Sequence, residues 1–413
     1  MTSNVIPVRQ SDRIDSLDVL RGVALLGILS MNIQSFSQPW AAYWNPTAHG
    51  DLSGANYWLW LLSYVVSNRK FISIFTMLFG AGIFLMTSRV ESRGLPSAGL
   101  HYRRMGWLLL FGTAHSLLLW QGDVLYPYAV AGMIVYLFRR QPAGRLLALG
   151  IGFLVVFSII SIYHGYSIRS GPEEARIDYE LGWQPDQEKL QEEIDTYRGG
   201  WIGQVERRGD DWIRGHILTL HLWELWFPSG LMLIGMSLFK SGWLSAGKPA
   251  SRYVTLMIVA LLVGVPLTLV RVHLNFEAGW DVWTSSWNTA GFVSNEWVSM
   301  FLSFAWISLV MLVCRSAAMK PFTRPFAAVG QMAFTNYIMQ TLICTTIFYG
   351  YGLGWFGSVD RIGMLLVVVS VWIAQLIYSP IWLRYFRFGP LEWLWRSLTY
   401  WKPQPIRRTS TMV

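Results

Sequence analysis

The chain has 413 residues, 53% of them hydrophobic and 14% charged, with 23 tryptophans and a formal net charge of +9. Soluble domains carry roughly one quarter charged residues, so an ordinary soluble enzyme is excluded, and the composition fits a polytopic membrane protein with aromatic residues at both lipid–water interfaces. The positive charge is spread over short connections rather than gathered into a nucleic-acid patch, and Cys314 and Cys344, both in or beside apolar segments, read as packing residues rather than a disulfide framework or a metal site.

In chain order, residues 1–15 are a polar tail without the apolar core of a signal peptide. A spanning helix needs about 20 mostly apolar residues, and ten segments are predicted to span: 16–36, 69–88, 104–120, 122–138, 145–166, 213–239, 252–272, 289–314, 326–349 and 360–384. Residues 55–67 are too short to span alone and read as an aromatic interfacial helix or a tilted extension of the second span. The expectation is an all-α helical bundle of about ten transmembrane helices. Residues 16–166 form an N-terminal bundle of five spans and residues 213–384 a C-terminal bundle of five.

Loop charge sets the orientation. Arg89, Arg93, Arg103 and Arg104, Arg139, Arg140 and Arg145, Lys240 and Lys248, and Arg315, Lys320 and Arg324 all fall on one side, whereas 37–54, 121–123, 273–288 and 350–360 hold no Lys or Arg. That alternation predicts both termini in the cytoplasm, as in a bacterial inner-membrane protein. The long outer segment 167–212 holds twelve of the 24 acids. Within it, DQEKLQEEIDTYR predicts a polar helix ended by Gly199-Gly200. Residues 385–413 read as a basic, aromatic amphipathic tail on the cytoplasmic surface.

The first span carries Asp18 and Arg21, which share a face at i,i+3, and Asn32, eleven residues beyond Arg21 and within about 20° of the same face. Ionisable groups inside a membrane are costly and mark functional cavities. Arg21 is therefore a candidate for an anionic ligand, with Asp18 orienting it; the structural alternative is a local ion pair and an interhelical amide. The motif L-D-x-L-R-G-x-A-L-L-G-I-L, with KFISIFTMLFGAG, GTAHSLLLWQGDVLYPYA, LMLIGMSLFKSGWL, FTNYIMQTLICTTIFY and FGPLEWLWR, resembles the YeiB-like family of bacterial inner-membrane proteins along nearly the whole chain. That family looks like a branch of the transmembrane acyltransferase clan. The resemblance implies an acyl-CoA (acetyl-CoA) co-substrate in the cytoplasm and a glycan or lipid acceptor on the far side. In the clan's polysaccharide O-acetyltransferases the first span ends in a histidine, where this chain has Asn32; the lysosomal heparan enzyme looks like an asparagine case, with its histidine supplied after the first span. Another histidine must then act.

His115 lies inside the third span, and the tight turn that follows brings Asp123 to the start of the fourth, so the two can meet. A carboxylate would fix the imidazole tautomer and the imidazole would take a proton from an acceptor; alternatively Asp123 simply caps its helix. His49, in NPTAHGD, is the second candidate, although an ordinary loop histidine explains it as well. His216, His221 and Glu224 lack a third ligand of suitable spacing, so no metal is expected. The ninth span carries Asn336, Tyr337 and Gln340, which either line Arg21's cavity or join helices. Lys70, Arg271 and Arg361, at outer helix ends, either snorkel or attract an anionic acceptor. There is no Walker loop, dinucleotide fingerprint or nucleophile elbow. The two functional classes are an acyl-CoA-dependent membrane acyltransferase and a small-molecule permease using the same cavity. The partners expected are the bilayer and the acceptor, with a homodimer allowed and no nucleic acid.

Overall fold

The computed structural model describes residues 14–213, 225–283 and 289–408, with side chains described for all but 289–292. These residues form helices α1 (Asp15–Ser37), α2 (Trp40–Trp44), α3 (Gly54–Val66), α4 (Lys70–Glu91), α5 (Ala98–Leu118), α6 (Leu125–Val135) and α7 (Ala143–Arg169). Three polar helices follow, α8 (Glu173–Trp183), α9 (Gln187–Arg198) and α10 (Trp201–Trp212). The second half comprises α11 (Trp226–Lys240), α12 (Ala250–Glu277), α13 (Thr289–Arg315), α14 (Lys320–Gln331), α15 (Ala333–Phe348), α16 (Arg361–Tyr385) and α17 (Pro390–Tyr400). Among the described residues the sole β feature is an isolated antiparallel bridge between Phe386 and Arg407.

Helix α1 is the axis of the bundle. Leu20, Ala24, Leu25 and Leu29 are fully buried, and Asp15 and Asp18 lie in its first turn, where they oppose the positive end of the helix dipole. Two close crossings fix its surroundings. A Cβ on Gly330 would stand 1.9 Å from the Asp18 carbonyl oxygen, and one on Gly22 would stand 2.0 Å from that of Phe326, so α1 and α14 meet backbone to backbone. The α4–α11 crossing is built the same way, with Gly80 against Met232 and Gly235 against Met77. The outer helices turn apolar side chains outward instead, for example Ile159, Leu262 and Leu366, each more than 60% exposed. Such faces need a lipid partner.

Among the described residues six segments are long and apolar enough to cross a membrane: Asp15–Ser37, Gly54–Glu91, Ala143–Arg169, Ala250–Glu277, Val293–Arg315 and Arg361–Tyr385; α5, 21 residues long, carries His101, Arg103 and Arg104 and is not one of them. This is a multi-pass helical membrane protein. The expected count of ten is not reached by length and apolarity, and the reason is local. The predicted span 326–349 is broken at Met332 (φ −109°, ψ 31°), which leaves α15 with 16 residues. The span 122–138 is an eleven-residue helix with a 3-10 turn, and α11 has fifteen residues, while 214–224 of the expected span 213–239 lie outside the described residues. At 1.5 Å per residue these reach about 17–24 Å, short of a hydrocarbon core of about 30 Å. Residues 55–67 do form a separate helix, set off from α4 by Arg69 in the left-handed region (φ 62°).

The acidic segment from α8 to α10 folds onto the bundle. Asp186 accepts the Lys189 amide to start α9, which stops at Gly199. Arg208 donates to the carbonyls of Leu117 and Leu118, and Trp201 Nε1 also donates to Leu118, so α10 covers the last turn of α5. At the opposite end, rich in arginine, α17 docks rather than lying apart. Trp395 Nε1 donates to the Arg104 carbonyl, and Glu392 accepts the amides of Phe334 (2.6 Å) and Thr335 (3.1 Å), capping α15.

Candidate functional site

A cavity of about 310 Å3 runs through the middle of the bundle between α1, α4, α5, α6, α15 and α17. Its walls are mainly apolar, among them Leu25, Phe79, Ile83, Met105 and Leu108. One end is charged, with Arg21, Arg89, Arg104 and Arg396 facing the acids Asp18 and Glu392. Arg21 Nη1 donates to Asp18 Oδ1 at 2.8 Å and leans on the Gly330 carbonyl at 3.4 Å, so the α1–α14 glycine crossing places it. Arg104 stacks on Trp395, 4.3 Å from the ring centre. Four guanidiniums against two carboxyl groups leave an excess of positive charge suited to a phosphate or carboxylate.

Away from the arginines the cavity is lined by Val124, Tyr128 and Tyr337. Tyr128 is held by the Thr76 hydroxyl. Behind Tyr337, with ring centres 5.2 Å apart, lies His115. Its Nδ1 is 2.8 Å from Asp123 Oδ1, and Asp123 Oδ2 accepts the Tyr126 amide at 2.7 Å. Asp123 therefore caps α6 and holds the imidazole at once, so the two sequence readings are not alternatives. His115 Nε2 is 2.9 Å from Thr341 Oγ1. Both His115 and Asp123 side chains are 2% exposed, and Thr341 is fully buried. Trp120, stacked on Phe36 at 4.2 Å, seals this end from the outer segment.

The candidates thus separate. Asp18, Arg21 and Tyr337 line one cavity, and the His115–Asp123 pair sits one side chain behind it. Asn32 is half-buried and lies outside the cavity lining. Asn336 and Gln340 also lie outside it. Asn336 donates to the Val329 carbonyl and to Ser379, and accepts from Tyr378; Gln340 donates to Gln375, which donates to the Asn336 carbonyl. These amides tie α15 to α16. His49 lies in the loop after α2 with its Nδ1 lacking a hydrogen-bond partner; burial first, then the Arg361 and Arg198 guanidiniums, push its pKa down. His216, His221 and Glu224 lie outside the described residues. Among the described residues no group of three His, Cys, Asp or Glu could hold a metal.

Lys70, Arg271 and Arg361 do not snorkel: they are 1%, 7% and 5% exposed. Lys70 donates to the Tyr64 carbonyl, Arg69 pairs with buried Glu296 at 2.5 Å, and Arg361 donates to the carbonyls of Asp51 and Pro46. Sequence reasoning missed Thr341 and Glu392, and placed Arg104 and Arg396 only among the basic segments expected to meet acyl-CoA phosphates with Arg21. Threonine inside an apolar span has no distinguishing spacing, and the three others became site residues only through the docking of α17.

The sequence comparisons agree with one another. A family model described as a protein of unknown function (DUF418) matches residues 238–402. The chain is 34% identical to the uncharacterized protein YeiB of Escherichia coli (strain K12), over 96% of this chain and 98% of that protein. It is 31% identical to the uncharacterized protein YxaH of Bacillus subtilis (strain 168), over 98% of this chain and 99% of that one. An uncharacterized 39.9 kDa protein from the amylase 3′ region of Bacillus acidopullulyticus is 25% identical over 97% of both chains. At this identity over nearly the full length of both partners, the chain belongs to the YeiB-like family.

Proposed function

We propose that the protein is an inner-membrane acyltransferase that takes an acyl group from cytoplasmic acyl-CoA and delivers it to a glycan or lipid acceptor at the outer face. One observation carries the proposal: a single cavity has arginines at one end and, behind Tyr337 at the other, a histidine paired with a carboxylate. In this reading the chain crosses ten times. Helices α5, α6, α11 and α15 supply the four crossings beyond the six long apolar segments, and the loop charge supports an arginine end and both termini in the cytoplasm. The cavity is at the lower limit of small-ligand pockets, about 300–1,000 Å3. It would take the pantetheine arm and thioester, while the nucleotide phosphates meet Arg21, Arg89, Arg104 and Arg396 at the mouth. Asp123 holds the Nδ1–H tautomer of His115, which leaves Nε2 as the base. A permease would need a continuation beyond Tyr337, and the stacked Trp120 and the α10 cap stand in that direction.

The test is acyl-CoA binding and turnover by detergent-purified protein. CoA and acetyl-CoA are expected to raise the unfolding temperature of wild type but not of Arg21→Ala, and thiol release is expected to vanish in His115→Ala. A folded wild type that shows neither shift nor release with several acyl-CoAs overturns the reading and makes transport the next assay.

A further inference from the structure

His115 has one basic nitrogen left once Asp123 takes the other, and that nitrogen already faces a hydroxyl. Asp123 Oδ1, His115 and Thr341 Oγ1 form a chain with distances of 2.8 and 2.9 Å, drawn from the turn before α6, from α5 and from α15. A carboxylate, an imidazole and an aliphatic hydroxyl in this order are the parts of an activated nucleophile, whatever the fold that carries them. An acceptor hydroxyl could reach Nε2 only by displacing Thr341. We propose, resting on the acyl-transfer reading, that Thr341 is itself the nucleophile and that the acyl group passes through a Thr341 ester.

The chemistry balances with the groups present. Thr341 Oγ attacks the thioester carbonyl carbon as His115 Nε2 takes the hydroxyl proton. The carbon–sulfur bond breaks, and the departing thiolate takes that proton to leave as free CoA. The acceptor hydroxyl or amine then attacks the Thr341 ester, giving its proton to Nε2, and Thr341 leaves with that proton. Thr341 lies one turn beyond Tyr337 on the same face of α15, so the acyl group approaching along the cavity meets Tyr337 first and Thr341 next. Tyr337 must turn aside for the thioester to arrive. Two half-reactions on one residue also suit an enzyme whose donor and acceptor come from opposite sides, because the two never need to be bound together.

The experiment uses full-length protein in detergent, incubated with acetyl-CoA without acceptor, quenched in acid and digested for peptide mass analysis. The expected result is a burst of thiol with one acetyl group on the peptide holding Thr341. Thr341→Ser should keep the adduct, and Thr341→Val should lose it, with steady-state thiol release lower by on the order of a hundredfold or more. Thermal unfolding of each variant checks that it is folded. Thiol release at the wild-type rate by folded Thr341→Val, or turnover by wild type with the acetyl group on another residue or on none, overturns the Thr341 assignment and leaves acyl transfer standing. No thiol release and no thermal shift in wild type overturns both.

Discussion

Asp123→Asn is the sharpest perturbation of the buried pair. Asp123 serves two N–H groups with two oxygens, His115 at 2.8 Å and the Tyr126 amide at 2.7 Å, and its side chain is 2% exposed. An asparagine has one oxygen to offer. If that oxygen stays on Tyr126, its NH2 faces His115 and selects the tautomer with hydrogen on Nε2, which then donates to Thr341 and is no longer a base. If it turns to His115, the NH2 opposes the Tyr126 amide and the cap of α6 is lost. A buried hydrogen bond to a charged group is worth about 1.5–3 kcal/mol, and the first arrangement is the cheaper because it keeps every donor paired. The expected outcome is a modest fall in the unfolding temperature with a loss of turnover approaching about 10⁴-fold, the size seen for the same change in a serine–histidine–aspartate triad. Thermal unfolding and thiol release from acetyl-CoA, measured on one preparation, give both numbers. Turnover within a factor of about two of wild type, in a folded protein, would refute the tautomer argument.

Three further outcomes follow from the packing and the charges. Gly235→Ala should lower stability by about 1–3 kcal/mol, because its Cβ would stand 1.9 Å from the Met77 carbonyl oxygen, while Gly82→Ala, inside α4 and meeting nothing within 4 Å, should raise the unfolding temperature slightly. Glu296→Gln should destabilise by about 1–3 kcal/mol, since it takes the carboxylate partner from half-buried Arg69; equal unfolding temperatures for this variant and wild type would show that the Arg69–Glu296 pair does not stabilise the fold. On α9, burial pushes the Glu193 carboxyl up to about 7 while its Oε1 accepts the Trp40 amide. The folded state therefore holds this proton more tightly than the unfolded one. The stability Glu193 contributes is complete below the ordinary carboxylate range and is lost as pH rises through about 7. Protection of the Trp40 amide against hydrogen exchange, after correction for the intrinsic base-catalysed rate, should fall across that range in wild type and stay flat in Glu193→Gln.

Much of the fold was legible because lipid enforces simple rules. Long apolar runs such as 145–166 and 252–272 have no alternative to a helix, and α7 and α12 extend them by only a few residues at each end. Asp186 and Gly199 announced the limits of α9. What failed was continuity. Hydropathy reads 326–349 as one apolar run, yet Glu392, almost sixty residues away, caps a new helix at Phe334 and Thr335 and stabilises the break at Met332. A window average reports how apolar a stretch is, not whether a distant carboxylate will satisfy the amides of a second helix start.

The site divides along the same line. His115 and Asp123 were found because a short turn forces neighbours in sequence to be neighbours in space, and Asp18 and Arg21 because three residues on a helix fix their separation. Asn336 and Gln340 share a face too, but that face meets Ser379, Tyr378 and Gln375 of α16 rather than a cavity. Helical spacing tells which side chains point together and is silent on what they point at. Thr341 and Arg104 carry the complementary lesson: neither has a local signal, and each enters the site through a partner more than two hundred residues away, His115 for Thr341 and α17 for Arg104. A membrane bundle can therefore place its most reactive groups at points where no single segment looks unusual. The arrangement lies in which helices cross, and here the crossings of α1 with α14 at Gly22–Gly330 and of α4 with α11 at Gly80–Gly235 hold α1 and α4 beside the cavity that the arginines line, with the Asp123–His115–Thr341 chain one side chain behind it at Tyr337.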